Sequence, residues 1–352
     1  MYSKIHLINF ALLTTFLVIV SAVFATTRPL SAQAQAGAGL VKASIEITPK
    51  YPTPGQMVKA KLHSSSLDND TALITWRLNG EIIQQSYSQR EVTYKIGEVG
   101  SVSKITVVAE DATGFRVSAE NTIHVGDVSV VWEGRTYTPP FYQGRALQTP
   151  GSEVAIVALP TILNAKGVAY TADELSYSWS TNHSTIPQIS GKGKHSVTLI
   201  NDKPFEVFTI NLLVKDPQGV VRVGKKFVIP ANQPSVVLYE DSPLIGIRYD
   251  KAITGTHNIS DRETTIVSEP YYISASTRTD PALTYTWSIA GKTYTSPGSI
   301  SLGSEGVGSG TALINLVIQN TAYWLQNGRA DLTVDFGLND TWRDINPDTD
   351  AL

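Results

Sequence analysis

From about residue 42 onward the chain is written in a period of two. Apolar and polar residues alternate in short runs such as Met57–Leu62 (MVKAKL), Ile105–Ala109 (ITVVA), Glu153–Ala158 (EVAIVA) and Ala312–Ile318 (ALINLVI). Successive side chains of a strand point to opposite faces, so this alternation predicts half-buried strands. Gly, Pro, Asn and Asp separate the runs and predict turns. No apolar set recurs at helical spacing over three turns. The pattern therefore predicts an all-β fold.

The strands recur as a set. A tryptophan strand occurs three times, as Leu73–Gly80 (LITWRLNG), Leu175–Asn182 (LSYSWSTN) and Leu283–Gly291 (LTYTWSIAG). A later strand recurs as ITVVAED ending at Asp111, INLLVKD ending at Asp216 and INLVIQN ending at Asn320. Each begins a hairpin, through DATGFR, DPQGVV and NTAYWLQNGR, and the third reads as the longer loop. The turns Thr53-Pro54-Gly55 and Thr149-Pro150-Gly151 introduce the second strand of the first two units, where Ser260-Asp261-Arg262 stands in the third. Units two and three share a leader: Val128–Leu147 (VSVVWEGRTYTPPFYQGRAL) aligns without gaps with Pro234–Ile253 (PSVVLYEDSPLIGIRYDKAI). These repeats divide the chain into units at 41–126, 127–232 and 233–338, with an acidic tail at 339–352.

A unit of about 100 residues with some seven strands and a tryptophan on the third resembles the immunoglobulin-like sandwich. It also resembles the PKD-like and Ig-like repeats of bacterial surface proteins. The residues carrying the resemblance are Leu73-Ile74-Thr75-Trp76, Tyr177-Ser178-Trp179, Tyr285-Thr286-Trp287 and the two Thr-Pro-Gly turns. The cysteine pair of antibody domains is absent. Asn79-Gly80 and Gly291-Lys292 stand where a PKD domain would carry its DFGDG-type motif. The layout is similar to that of uncharacterised exported Ig-like proteins. The resemblance implies tandem Ig-like (PKD-like) β-sandwiches at a cell surface.

Residues 1–36 read as a targeting segment. Lys4 opens it, Leu7–Ala25 is apolar without charge, and Val23-Phe24-Ala25 and Ala32-Gln33-Ala34 offer cleavage patterns. That order predicts an export signal. The run is nearly long enough to span a bilayer, so an uncleaved helical anchor is the alternative. Either way the expected location is extracellular, with membrane contact through residues 7–25 only.

Composition narrows the chemistry. Charged residues are only 17%, and Lys+Arg 28 against Asp+Glu 31 leaves a net charge of -3, which argues against a nucleic-acid partner. The chain has 0 cysteines, which excludes disulfides, thiolate metal sites and cysteine nucleophiles. Cohesion must come from burial, and Trp76, Trp179 and Trp287 are the expected core anchors. The histidines show no catalytic or metal spacing, and no carboxylate pair stands out, so no enzyme activity and no cofactor are expected; a hydrolase site hidden between units is the alternative. Asp335, Asp340 and Asp344 are weak metal candidates, and a solvated acidic tail is the favoured reading of that cluster.

Two surfaces carry residue types suited to binding. One is the leader, with Phe141, Tyr142 and Arg145 in unit two and Arg248 and Tyr249 in unit three. Pro139-Pro140 predicts extended backbone there. The leader reads either as a contact surface or as a crossover whose aromatics stiffen the joint between units. The other is the third hairpin, where Tyr323, Trp324 and Leu325 read as a binding loop or as a cover over the unit's own core. The combined expectation is an exported, non-enzymatic stalk or adhesion module contacting surface proteins or glycans. The alternatives are a carbohydrate-binding or enzyme-accessory module using the aromatic hairpin, and a subunit of an envelope assembly such as a pilus or secretion apparatus.

Overall fold

A computed structural model describes residues 43–65, 71–181, 184–201, 207–259, 263–303 and 309–336. Residues 1–36, read as a targeting segment, and residues 339–352, with Asp340 and Asp344, lie outside the described residues, as do Ser260, Asp261 and Arg262. The described chain is all-β, apart from single 3-10 turns at Ala172–Glu174 and Pro187–Ile189. Among the described residues no helix is long and apolar enough to cross a membrane.

The first sandwich contains β1 (Ala43–Thr48), β2 (Met57–Ser64), β3 (Leu73–Leu78), β4 (Glu81–Tyr87), β5 (Glu91–Lys95), β6 (Val102–Glu110) and β7 (Arg116–His124). The second contains β8 (Asp127–Gly134), β9 (Glu153–Thr161), β10 (Ser176–Ser180), β11 (Gly191–Lys192), β12 (Ser196–Ile200), β13 (Phe208–Lys215) and β14 (Arg222–Ile229). The third contains β15 (Ser235–Ser242), β16 (Gly246–Ile247), β17 (Thr256–Ile259), β18 (Glu263–Tyr271), β19 (Leu283–Ile289), β20 (Lys292–Tyr294), β21 (Ser299–Gly303), β22 (Gly310–Asn320) and β23 (Asn327–Phe336).

All three share one topology. One sheet has the order β1-β2-β5, β8-β9-β12 or β15-β18-β21, and the facing sheet has β4-β3-β6-β7, β11-β10-β13-β14 or β20-β19-β22-β23. In immunoglobulin letters these are A-B-E and C′-C-F-G. The fourth strand stays beside the tryptophan strand and does not join the A-B-E sheet as it does in constant-type domains. The third unit adds β16 beside β15, and β17 parallel to β23.

Each sandwich closes over its own core, and Trp76, Trp179 and Trp287 are the largest fully buried side chains. Each indole contributes about 5 kcal/mol if some 200 Å² leaves water at 25 cal/mol/Å². Each also satisfies its N–H on a backbone carbonyl: Gln89 at 3.5 Å, Lys194 at 2.8 Å and Ser296 at 3.0 Å. The residue that ends each F strand stitches the turn that follows. Asp111 Oδ1 accepts from the Thr113 and Phe115 amides, Asp216 Oδ1 from Val221, and Asn320 Oδ1 from Ala322 and Tyr323.

Three sequence expectations need correction. The third hairpin is no longer than the second: Thr321–Gln326 connects β22 to β23 as Asp216–Val221 connects β13 to β14. Asn327, Gly328 and Arg329 are ladder residues opposite Gln319, Ile318 and Val317, not loop. The Pro139-Pro140 segment is not extended; it turns, with the Tyr142 amide donating to the Pro139 carbonyl at 2.9 Å. The two leaders also take different paths despite their gapless alignment. The third unit's leader folds back on its own sheets through Gly246 (φ 76°). Pro140 occupies the aligned position in unit two, and its ring excludes that left-handed backbone.

The joints are short. Only Val125 and Gly126 separate β7 from β8, and Pro230–Pro234 separates β14 from β15. At the first joint the chains run close: a Cβ on Gly126 would lie 2.8 Å from Val223, and one on Gly224 would lie 2.4 Å from the Tyr51 ring.

Candidate functional site

Both candidate surfaces lie at the second joint. The leader of unit two leaves β8, crosses to unit three and pairs with it. Tyr137 forms a two-way backbone bridge, donating to Ile273 O at 2.7 Å and accepting from the Tyr272 amide at 2.8 Å. Phe141 then stacks on Tyr249 at 4.2 Å between centroids and meets Tyr239 edge-on at 6.0 Å. Tyr142 packs edge-on against Tyr271 and Tyr272 and accepts the Tyr272 hydroxyl at 2.7 Å. Tyr272 holds φ at 61°, a costly conformation for a bulky residue, kept in place here by bonds to the leader.

At the centre lies Glu269, whose side chain is 1% exposed. Its Oε2 accepts from the Tyr137 hydroxyl at 3.0 Å, and its Oε1 from the Tyr249 hydroxyl at 2.8 Å and the Arg278 guanidinium at 3.4 Å. A buried carboxylate is tolerable only when paired and hydrogen-bonded in this way. Two of its three donors belong to unit three; the other, Tyr137, comes from unit two. Burial, followed by the nearby Glu269 charge, pushes the Tyr137 hydroxyl well above its ordinary pKa. Tyr249 is pushed up to about 12 by burial and then by its bond to Glu269, and Tyr272 to about 12 by burial and then by Tyr142. These hydroxyls therefore stay protonated and donate across the neutral range.

The third hairpin closes the other side of the joint. Gln326 is fully buried. Its Nε2 donates to Pro150 O of unit two at 2.9 Å and to Ser274 Oγ at 3.0 Å, while its Oε1 accepts from the Ser274 amide at 2.7 Å. Tyr323 lies over Gly151 of unit two, 3.0 Å from where a Cβ would stand. Leu325 is half-buried, whereas Trp324 is 71% exposed. The Trp324 carbonyl is fixed by Gln319 Nε2 at 3.0 Å, so the indole projects from a held backbone.

The remaining predicted residues fall apart from this cluster. Arg145 lies over its own unit's Trp132, 3.6 Å from the ring centroid, a cation–π contact at an exposed position. Arg248 faces a separate pocket. Asp335 sits in β23 beside Asn258 and Thr311, and no group of three or more metal-ligating side chains exists among the described residues. Between units one and two lies a cleft of about 780 Å³. Asp216 is the single carboxylate among its described lining residues, and its Oδ1 is engaged by the Val221 amide.

Sequence reasoning did not find Glu269, Arg278, Gln326 or the Tyr271-Tyr272 pair. No signal in the sequence pointed to them, since Val267–Tyr271 reads VSEPY; the structure shows the stretch buried without a break, where a strand with one wet face should alternate. The leader of unit two covers its outer face, and the acid in mid-strand is the mark of that cover.

No protein-family model and no curated protein matches the chain. Similar solved structures include the three N-terminal domains of the bacteriophage RB49 Highly Immunogenic Outer Capsid protein, at 11% identity and TM-score 0.25, covering 85% of this chain and 99% of that one. Another is Bacteroides ovatus SGBP-B in complex with mixed-linkage heptasaccharide, at 12% identity and TM-score 0.22, covering 86% and 72%. A third is Sidekick-1 immunoglobulin domains 1-5, at 9% identity and TM-score 0.27, covering 86% and 61%. Likenesses this distant carry no argument about function. The immunoglobulin-like sandwich follows from the sheets and cores described above.

Proposed function

We propose that this chain is an exported, non-enzymatic surface protein that works as a semi-rigid stalk or adhesion module. The observation that carries the reading is the second joint. One unit's leader and the next unit's hairpin interlock through Glu269 and Gln326, both buried, in place of a flexible linker. A spacer needs units held at a fixed angle, and buried polar contacts with directional partners hold an angle better than apolar contacts do. Small-angle scattering of the full-length chain tests this. A fixed-angle rod gives one set of distances that a flexible string cannot fit, and Glu269→Ala combined with Gln326→Ala broadens the distribution. A wild-type profile that already requires a broad ensemble refutes it.

A second reading is favoured by Trp324. A largely exposed indole on a held backbone is a platform on which a sugar ring can stack. A glycan array showing saturable binding that is lost in Trp324→Ala, with the fold intact, supports a carbohydrate-binding module. Binding that survives the substitution refutes it.

A further inference from the structure

We infer that the first unit carries a homodimer contact, in which the edge strand β4 pairs antiparallel with the β4 of a second copy of this chain. β4 is the outer strand of the β4-β3-β6-β7 sheet, the place taken by β11 in unit two and β20 in unit three. Those two edges are protected. They span two and three residues, Gly191–Lys192 and Lys292–Tyr294, and each carries a lysine. Short length and lysine both keep an edge from pairing with another chain. β4 has neither. It runs seven residues, and Ile82 to Gln89 (IIQQSYSQ) holds no charge and no proline. Ile82, Ile83 and Tyr87 are 50%, 39% and 70% exposed. A bulge opposite Trp76 and Arg77 interrupts the start of the strand and leaves Gln84–Tyr87 in regular register.

The ladder shows which backbone groups are open. The Ser88 amide donates to Ala72 O at 2.9 Å, so Ser88, and by alternation Ser86 and Gln84, turn their backbone groups toward β3. The Asn79 amide donates to Lys104 O at 2.8 Å, which gives the same assignment from the β6 side of β3. The N–H and C=O of Gln85 and Tyr87 therefore point away from the sheet, and no described backbone group meets them. The side chains alternate as well. Gln84 and Ser86 are half-buried, whereas Ile83, Gln85 and Tyr87 are exposed.

A second copy is the occupant because one register satisfies both the backbone and the side chains. A two-fold axis at Gln85 sets this residue opposite itself, so the outward amide of each copy donates to the outward carbonyl of the other. The same axis sets Ile83 opposite Tyr87 twice, and an aromatic residue facing a β-branched one stabilises an antiparallel pair. Gln84 falls opposite Ser86, and no charge meets a like charge. An axis at Ser86 would instead set Ile83 opposite Gln89, beyond the end of the strand. Each β4 has one open side, so the contact closes at two copies and joins two four-stranded sheets into one. An edge of this length buries less than the roughly 1,200 Å² of a standard interface, so the dimer is weak and dissociates on dilution.

The chain has 0 cysteines, so single cysteines read the register directly. Full-length Gln85→Cys, Ile83→Cys and Tyr87→Cys are oxidised mildly side by side at the highest soluble concentration. Only position 85 faces itself, with Cα atoms about 5.5 Å apart and within reach of a disulfide. Gln85→Cys should therefore form the linked dimer at least about ten-fold faster than the other two, which link only by collision. Sedimentation velocity of the wild-type chain over a dilution series should show a reversible dimer. Gln85→Lys places two positive charges on the axis and should leave a monomer with an unchanged circular dichroism spectrum. A wild-type chain that stays monomeric throughout the series overturns the proposal, as do equal linking rates at the three positions. A dimer that survives Gln85→Lys also overturns it, and the cysteine comparison decides the matter if that variant misfolds.

Discussion

Tyr137→Phe is the sharpest test of the joint because it removes one oxygen and little else. The backbone bridge between Tyr137 and Ile273–Tyr272 does not involve the side chain, so the ring should keep its place. What is lost is the 3.0 Å bond to Glu269 Oε2. Oε1 keeps Tyr249 and Arg278, but Oε2 has no other described donor, and at 1% exposure water cannot easily replace the missing one. A hydrogen bond to a charged group contributes about 1.5–3 kcal/mol, and leaving its acceptor buried and unpaired puts the cost toward the upper end.

That loss should fall on the docked state of units two and three and not on the core of unit one. Hydrogen exchange followed by mass spectrometry separates the two. Peptides covering Val267–Tyr271 should lose protection equivalent to the same 1.5–3 kcal/mol, roughly 10- to 150-fold faster exchange. Peptides from β6 should be unchanged. Tyr170→Phe is the control, because its 3.0 Å bond to Gln218 is at an exposed site and its loss should change exchange by less than about 0.5 kcal/mol. In a double-mutant cycle with Glu269→Gln, the two changes should couple by about 1 kcal/mol or more. Unchanged exchange over Val267–Tyr271 in Tyr137→Phe would refute the claim that Glu269 ties the two units together.

Other consequences follow from the same geometry. Trp179→Ala should destabilise unit two by about 3–5 kcal/mol, since it opens a core cavity and strips the Lys194 carbonyl of its partner, and an unchanged melting temperature would contradict its place in the core. Gly224→Ala would put a Cβ 2.4 Å from the Tyr51 ring, so unit one should loosen from unit two while both stay folded, read as faster proteolysis near Val125-Gly126 with unchanged circular dichroism. Stability should fall as pH rises from about 10 toward 12, because Tyr94, Tyr177, Tyr249 and Tyr272 are each pushed up to about 12 in the fold but ionise near 10 in the open chain. In that window the open chain binds fewer protons than the native one, so ionisation favours opening; a tyrosinate absorbance titration with an ordinary midpoint would count against it.

The interior of each sandwich was legible in the sequence for a local reason. A strand with one wet face alternates, and the buried tryptophan repeats because each unit has to fill the same space between two sheets without a disulfide. Asp111, Asp216 and Asn320 recur because each F–G turn needs an acceptor for its amides. These features are set within a few residues along the chain or by one unit's own core. The length of the third hairpin was misread because Gly328 and Arg329 look like turn residues, although Ile318 and Val317 pair with them across the ladder.

The joint was illegible because no local rule governs it. Tyr137 and Glu269 are far apart in sequence, and nothing near either residue names the other. The composition of the leader left two readings open, a free surface and a packed crossover. The structure places Phe141 and Tyr142 against tyrosines of the next unit while leaving Trp324 largely in water. Aromatic content therefore could not separate the residues that hold the units together from the one that remains available to bind. What separates them is the partner: Phe141 packs on Tyr249 and Tyr142 accepts the Tyr272 hydroxyl, both of the next unit, whereas the Trp324 indole has only solvent around much of its surface. A buried acid in mid-strand, inside an unbroken buried run, is the signal that transfers to other tandem sandwiches. It marks a strand whose second face is covered by something beyond its own unit, because a lone sandwich would gain nothing from burying that charge.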